Sequence, residues 1–161
     1  MNCKKPSQAD IETVSGQLGR PARGVLYIAA RAASGEPLVV ATAPCLADGT
    51  PFPTFYYLTH PEVVAAASRL EATGFMAELN ARLQEDAELC AAYTRAHELY
   101  IADRERAGGK VPQLEGISAG GMPARVKCLH ALIGHALAAG AGVNPLGDIA
   151  LAASGFLAQE H

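Results

Sequence analysis

The sequence predicts an α+β fold: a small three-stranded antiparallel sheet packed with five or six helices around a central buried helix. Three observations carry that prediction. Val25-Leu26-Tyr27-Ile28-Ala29 and Leu38-Val39-Val40-Ala41-Thr42 are β-prone runs, and Ala33-Ser34-Gly35-Glu36-Pro37 between them suits a turn, so they read as a hairpin. Most of the remaining chain repeats its apolar residues at helical spacing. The stretch from Gly120 to Gly140 is apolar nearly all round, which marks a helix buried on every side.

Taken in order, Ser7 suits the cap of a first helix, with Asp10 three residues on in a box-like position and Ile11, Val14 and Leu18 as its stripe. Leu18-Gly19-Arg20-Pro21 ends it. Neither hairpin strand alternates cleanly between apolar and polar, so helices should cover at least part of both sheet faces. Residues 44–53 hold Pro44, Pro51, Pro53 and the Asp48-Gly49 turn, a stiff loop rather than a central strand. Residues 54–59 supply the third strand.

Thr59-His60-Pro61-Glu62 matches a capping box with Thr59 as N-cap and Glu62 at the third helical position. His60 then stands at a strand-to-helix junction, where free backbone N–H groups favour anions. The helix that follows turns Val63, Val64, Ala67 and Leu70 inward and closes at Gly74. Phe75, Met76, Leu79 and Leu83 mark another. Asp86 caps a longer one to about Arg106, with Leu89, Tyr93, Ala96 and Tyr100 on one face beside Cys90 and His97. The glycine-rich connection 107–121 is of a length usually tied to function or mobility. Asn144-Pro145 opens a last helix to about Leu157.

At 161 residues the chain suits one domain, 1–161, with a proper core. Lys and Arg number 13 against 16 Asp and Glu, so no global field draws the protein to nucleic acid or anionic lipid. Cys3, Cys45, Cys90 and Cys128 form no Cys-x-x-Cys pair, which fits reduced thiols. The first ten residues lack the apolar core of a secretory signal, and the longest apolar stretches fall short of the roughly 20 residues that span a bilayer. The expectation is a cytoplasmic protein without membrane or nucleic-acid partners.

Three chemistries compete for the polar groups. At 100° per residue His130 falls among Val126, Leu129, Ile133 and Leu137, while Cys128 and His135 point the other way. A metal reading takes His60, Cys128 and His130 or His135 as ligands, since thiolate and imidazole suit zinc or a similar divalent ion, with Cys45 or His97 as further donors if the fold brings them in. A nucleophile reading lowers the Cys128 pKa by the helix start and by Arg125 and Lys127, but identifies no base. The plain alternative is an inert buried cysteine and satisfied core histidines. An anion reading rests on Gly120-Gly121 leading into a helix start with Arg125 and Lys127, together with Arg20 and Arg23.

The motifs Leu18-Gly19-Arg20-Pro21-Ala22-Arg23-Gly24, Asp48-Gly49-Thr50-Pro51-Phe52-Pro53-Thr54, Leu58-Thr59-His60-Pro61, Ser68-Arg69-Leu70-Glu71, Val126-Lys127-Cys128-Leu129-His130-Ala131 and Asn144-Pro145-Leu146-Gly147 are distinctive together. With them the chain resembles the bacterial "domain of unknown function five hundred and one" family over nearly its whole length. The resemblance implies no reaction. It implies that some members carry cysteine at the position of His60, which keeps a metal-binding side chain, and histidine at that of Leu132, which this chain lacks. Family genes near those of a cell-division initiator and of polyphosphate or guanosine-pentaphosphate phosphatases push towards phosphate-rich ligands or a protein partner.

The leading expectation is therefore a cytoplasmic binding or regulatory domain for a small anionic or phosphorylated ligand, with Arg20, Arg23, Asp48, His60, Arg125 and Lys127 around the pocket. A metal-dependent or thiol enzyme using His60, Cys128 and His130 is the alternative, and a protein-interaction scaffold with an exposed apolar patch the third.

Overall fold

The computed structural model describes residues 3–159; residues 1, 2, 160 and 161 lie outside the described residues. The elements run α1 (Gln8–Leu18), β1 (Val25–Arg31), β2 (Pro37–Thr42), β3 (Tyr56–Leu58), α2 (Pro61–Glu71), α3 (Phe75–Glu85), α4 (Ala87–Gly108), a 3-10 turn (Pro112–Leu114), α5 (Leu129–Ala139), α6 (Pro145–Ser154) and the short α7 (Phe156–Gln159). The α+β class and the three-stranded antiparallel sheet are as the sequence predicts. Among the described residues, no helix is long and apolar enough to cross a membrane.

The sheet order is β1-β2-β3, with Ile28 opposite Val40 and Val40 opposite Tyr57. β2 is buried along its whole length, which explains why its residues do not alternate: elements cover it on both faces. α5 packs on β3 and β2, α6 packs on α5, and α2 lies against both helices. The helix backbones come close because small residues stand at the contacts. A Cβ at Gly134 would lie 3.1 Å from the Tyr56 carbonyl oxygen of β3, and one at Gly147 would meet the Leu132 carbonyl oxygen of α5.

The core joins Tyr27, Phe55, Tyr93 and Tyr100 to Leu129, Leu132, Ile133 and Leu146. Two polar contacts fix α4 on the sheet. The Tyr100 hydroxyl accepts from the Tyr56 backbone N–H at 3.1 Å, and the Tyr56 hydroxyl donates to Asp103 at 2.7 Å. Tyr100→Phe leaves the Tyr56 N–H without an acceptor in the core and is expected to cost about 1–3 kcal/mol in urea unfolding; an unchanged midpoint would contradict that role.

Several boundaries differ from expectation. The Ser7 capping box is present as read, with Ser7 Oγ accepting from the Asp10 N–H at 3.1 Å. At α2 the cap is instead His60, whose Nδ1 accepts from the Glu62 N–H at 3.3 Å. The reason is Pro61, which has no N–H and a φ pre-set for the first helical position, so the cap falls one residue later than Thr59. The Thr59 hydroxyl donates to Gln17 Oε1 at 2.8 Å. The last helix divides at Gly155, whose φ of 74° stops α6 before α7 begins.

The largest correction concerns the central helix, which starts at Leu129 rather than near Gly120. Residues 120–128 fold back on themselves: the Lys127 N–H reaches the Gly120 carbonyl at 2.7 Å and the Arg125 N–H the Gly121 carbonyl at 3.0 Å. Gly120 and Gly121 take φ of 69° and 94°, which helical geometry excludes, and Pro123 disfavours helix at Met122. Arg125 and Lys127 are therefore exposed residues of the irregular segment before α5, not part of a helical first turn.

Candidate functional site

The start of α5 determines the site. Cys128 is its N-cap, extended at φ −147° and ψ 111°, so the helical projection that set Cys128 opposite His130 does not hold there. Glu71, the last residue of α2, sends its carboxylate across to this point. Its Oε2 accepts from the Leu129 N–H at 2.8 Å, capping α5 from a neighbouring helix, and its Oε1 lies 3.0 Å from His130 Nδ1. On the other edge of the ring, His130 Nε2 is 3.2 Å from Ser68 Oγ, one turn back along α2.

One donor atom each from Glu71, Cys128 and His130 lies within 4.8 Å of the other two, and all three residues are half-buried. The His130 pKa is raised above its ordinary value, first by the Cys128 side chain and then by the Glu71 carboxylate, with burial opposing. Cys128 and His130 line a cleft of about 700 Å³ that is walled by Tyr56, Tyr57, Val64 and Ala131. The first-turn N–H groups of His130 and Ala131 have no intrahelical acceptor; the first intrahelical bond runs from the Leu132 N–H to the Cys128 carbonyl. A thiol and an imidazole thus stand on one cleft, with the Glu71 carboxylate directly beside them. Such a set can ligate an ion or activate a nucleophile.

The residues singled out in the sequence go to several places. Of the metal candidates, Cys128 and His130 come together with Glu71, whereas His60 points its Nε2 at Glu36 Oε2, 3.2 Å away. Arg20, Arg23 and Asp48 line a second cleft of about 610 Å³, of which His60, Arg125 and Lys127 are not walls. Asp48 Oδ1 accepts from the Thr50 N–H at 2.9 Å, and these turn hydrogen bonds hold its pKa below the ordinary value. His97 Nδ1 is 2.7 Å from Ser118 Oγ, tying the glycine-rich connection to α4, and burial lowers its pKa. None of the four cysteines is in a disulfide.

His135 and His130 exchange the roles assigned by the helical projection. His135 is fully buried, stacked on Tyr56 at 5.7 Å and edge-on to Tyr100 at 5.1 Å, while the His130 side chain is 27% exposed. Sequence reasoning did not select Glu71. A signal existed: a carboxylate in the last turn of a helix opposes the macrodipole, so one at the end of α2 calls for a specific partner.

No curated protein and no solved structure gives a significant match to the chain. A family profile described as "Protein of unknown function (DUF501)" matches residues 28–152, well over half the length. The motifs that suggested this relationship lie largely within that span, and the chain belongs to the DUF501 family of proteins of unknown function.

Proposed function

We propose that this protein is a metal-dependent enzyme whose single zinc-class ion is held by Glu71, Cys128 and His130, with a fourth position open to the cleft. The observation that carries this reading is the convergence of the three donor atoms within 4.8 Å, two of them on Cys128 and His130, which line the cleft. Metal–ligand bonds of about 2.0–2.3 Å around a tetrahedral ion set donor atoms roughly 3.3–3.8 Å apart, so the cluster needs only a small adjustment. A mixed sulfur, nitrogen and oxygen set suits zinc better than calcium or magnesium. The outer contacts also fit. Ser68 is placed to accept from the ring nitrogen that does not face Glu71, and the Leu129 N–H fixes the carboxylate. Three protein ligands with an open fourth position are the arrangement of catalytic zinc, where the ion acts as a Lewis acid on a bound water or a substrate carbonyl.

Elemental analysis of protein purified without a histidine tag and reconstituted with zinc tests this. About one ion per chain is expected, falling to a small fraction in Cys128→Ser and His130→Ala while Cys45→Ser keeps it. Wild-type protein that remains metal-free after reconstitution would overturn the reading.

One observation favours a second reading of the same residues. Cys128 at the N-cap of α5 is where a helix stabilises a thiolate, and His130 with Glu71 forms an imidazole and its orienting acid. Under that reading the metal-free protein reacts rapidly with iodoacetamide at Cys128, and Glu71→Gln slows the reaction.

A further inference from the structure

The cleft beside Glu71, Cys128 and His130 and the cleft that holds Arg20 and Arg23 share two walls, Leu18 and Tyr57. Their linings differ in a graded way. The first contains no lysine, arginine, aspartate or glutamate side chain; beyond Cys128 and His130 it is made of tyrosine, threonine, glutamine, glycine and apolar groups. Tyr57 also borders the second cleft, where its ring stands 6.2 Å from that of Phe52. Leu46, half exposed, adds apolar surface there. Beyond these lie Arg20 and Arg23, both exposed, and neither pairs with a carboxylate among the described residues. The carboxylate of Asp48, in the same cleft, is engaged by its own turn.

Resting on the metal reading above, we infer that the substrate is an elongated acid: its reacting group sits at Glu71, Cys128 and His130, its apolar or aromatic body crosses Leu18 and Tyr57, and its carboxylate or phosphate lies between Arg20 and Arg23. The chemistry follows the linings. Apart from the proposed ion and its ligands, the first cleft presents no charged side chain among the described residues, so an acid group on the body of the substrate finds its counter-charge only in the second cleft. Two guanidinium groups without partners are suited to bind an acid group in a fork. Asp48 in the same cleft reduces the positive field and favours a single acid group over a highly charged polyanion.

The test uses the full chain loaded with cobalt(II) and probes that carry a metal-binding thiol at one end: ω-mercaptoalkanoates of increasing chain length, each paired with its neutral amide. Binding is read from the change in the cobalt absorption spectrum. Beyond a minimum chain length the acid is expected to bind roughly tenfold tighter than its amide. Arg20→Gln with Arg23→Gln should abolish that preference and leave the amide affinity unchanged. Phosphonate-ended probes distinguish the two acid sources, with the tighter series naming the group.

Equal affinity for acid and amide at every length in the wild type, with a normal cobalt spectrum, would overturn this inference and leave the metal site standing. So would a preference that persists in the double variant. A chain that yields no cobalt spectrum removes the metal reading and this inference with it.

Discussion

Gly147→Ala is expected to destabilise the fold by roughly 2–3 kcal/mol, although alanine is the better helix former by about 1 kcal/mol. Gly147 lies in the first turn of α6, and its N–H donates to Asn144 Oδ1 at 3.0 Å, so the helix start is fixed by the cap. A Cβ there would meet the Leu132 carbonyl oxygen and stand 3.1 Å from the Ala136 Cβ, both in α5. These are backbone and short side-chain atoms of a buried helix and cannot swing aside. The two helices would have to separate, loosening the packing of Leu146 and Ala150 on α5. Gly16 supplies the control: it is also helical, nothing lies within 4 Å of its Cβ position, and Gly16→Ala should be neutral or stabilising. Urea unfolding of both variants decides it; a Gly147→Ala protein as stable as the wild type would refute the close approach.

The second large effect is acid destabilisation through His135. Burial pushes its pKa down to about 4, with the field of Asp103 opposing. Asn144 Oδ1 is occupied by the Gly147 N–H, so the Asn144 amide nitrogen faces His135 Nδ1 at 3.1 Å and donates to it. The proton of the neutral ring is then on Nε2, which has no hydrogen-bond partner among the described residues and lies among the rings of Tyr56 and Tyr100. Charging the ring would remove the Asn144 bond as well as bury a cation.

The folded pKa lies below the unfolded value of about 6.5, so the unfolded chain binds a proton first as pH falls. The stability from neutral His135 is complete above pH ~6.5 and is lost as pH drops to about 4, by roughly 3 kcal/mol. Asp10, held at about 2 by Arg31, titrates below this window. His97 is also lowered and adds a contribution of the same sign, whereas His130 is raised and opposes it. Urea unfolding of wild type and His135→Phe between pH 4 and 7 isolates the His135 part. The variant should show a distinctly flatter dependence; parallel curves would contradict it.

Much of the fold was legible because its signals are local. The hairpin turn, the Ser7 box, the Asp86 cap and the Asn144-Pro145 start each need only a few neighbouring residues, and each is found. The errors arose where composition outweighed backbone geometry. The run 120–140 is apolar enough for a helix, but two positive-φ glycines and Pro123 hold its first part in turns. Once that boundary moved, the face assignments of Cys128 and His130 moved with it.

The candidate site was half legible. Cys128 and His130 stood out by chemistry. Glu71 did not, because it reaches them only through the packing of α2 on α5, from 58 positions before Leu129 in the sequence. Likewise nothing local shows that His60 is turned to Glu36, or that Tyr57 walls two clefts.

The most direct test of the proposed metal centre is a cobalt(II) titration followed by absorption spectroscopy. The proposed site predicts saturation near one equivalent, with a thiolate-to-cobalt charge-transfer band and visible bands of four-coordinate intensity, both lost in Cys128→Ser and altered in Glu71→Gln. A spectrum that stays that of hydrated cobalt at every addition, or a charge-transfer band that survives Cys128→Ser, would contradict the assignment of Glu71, Cys128 and His130 as ligands.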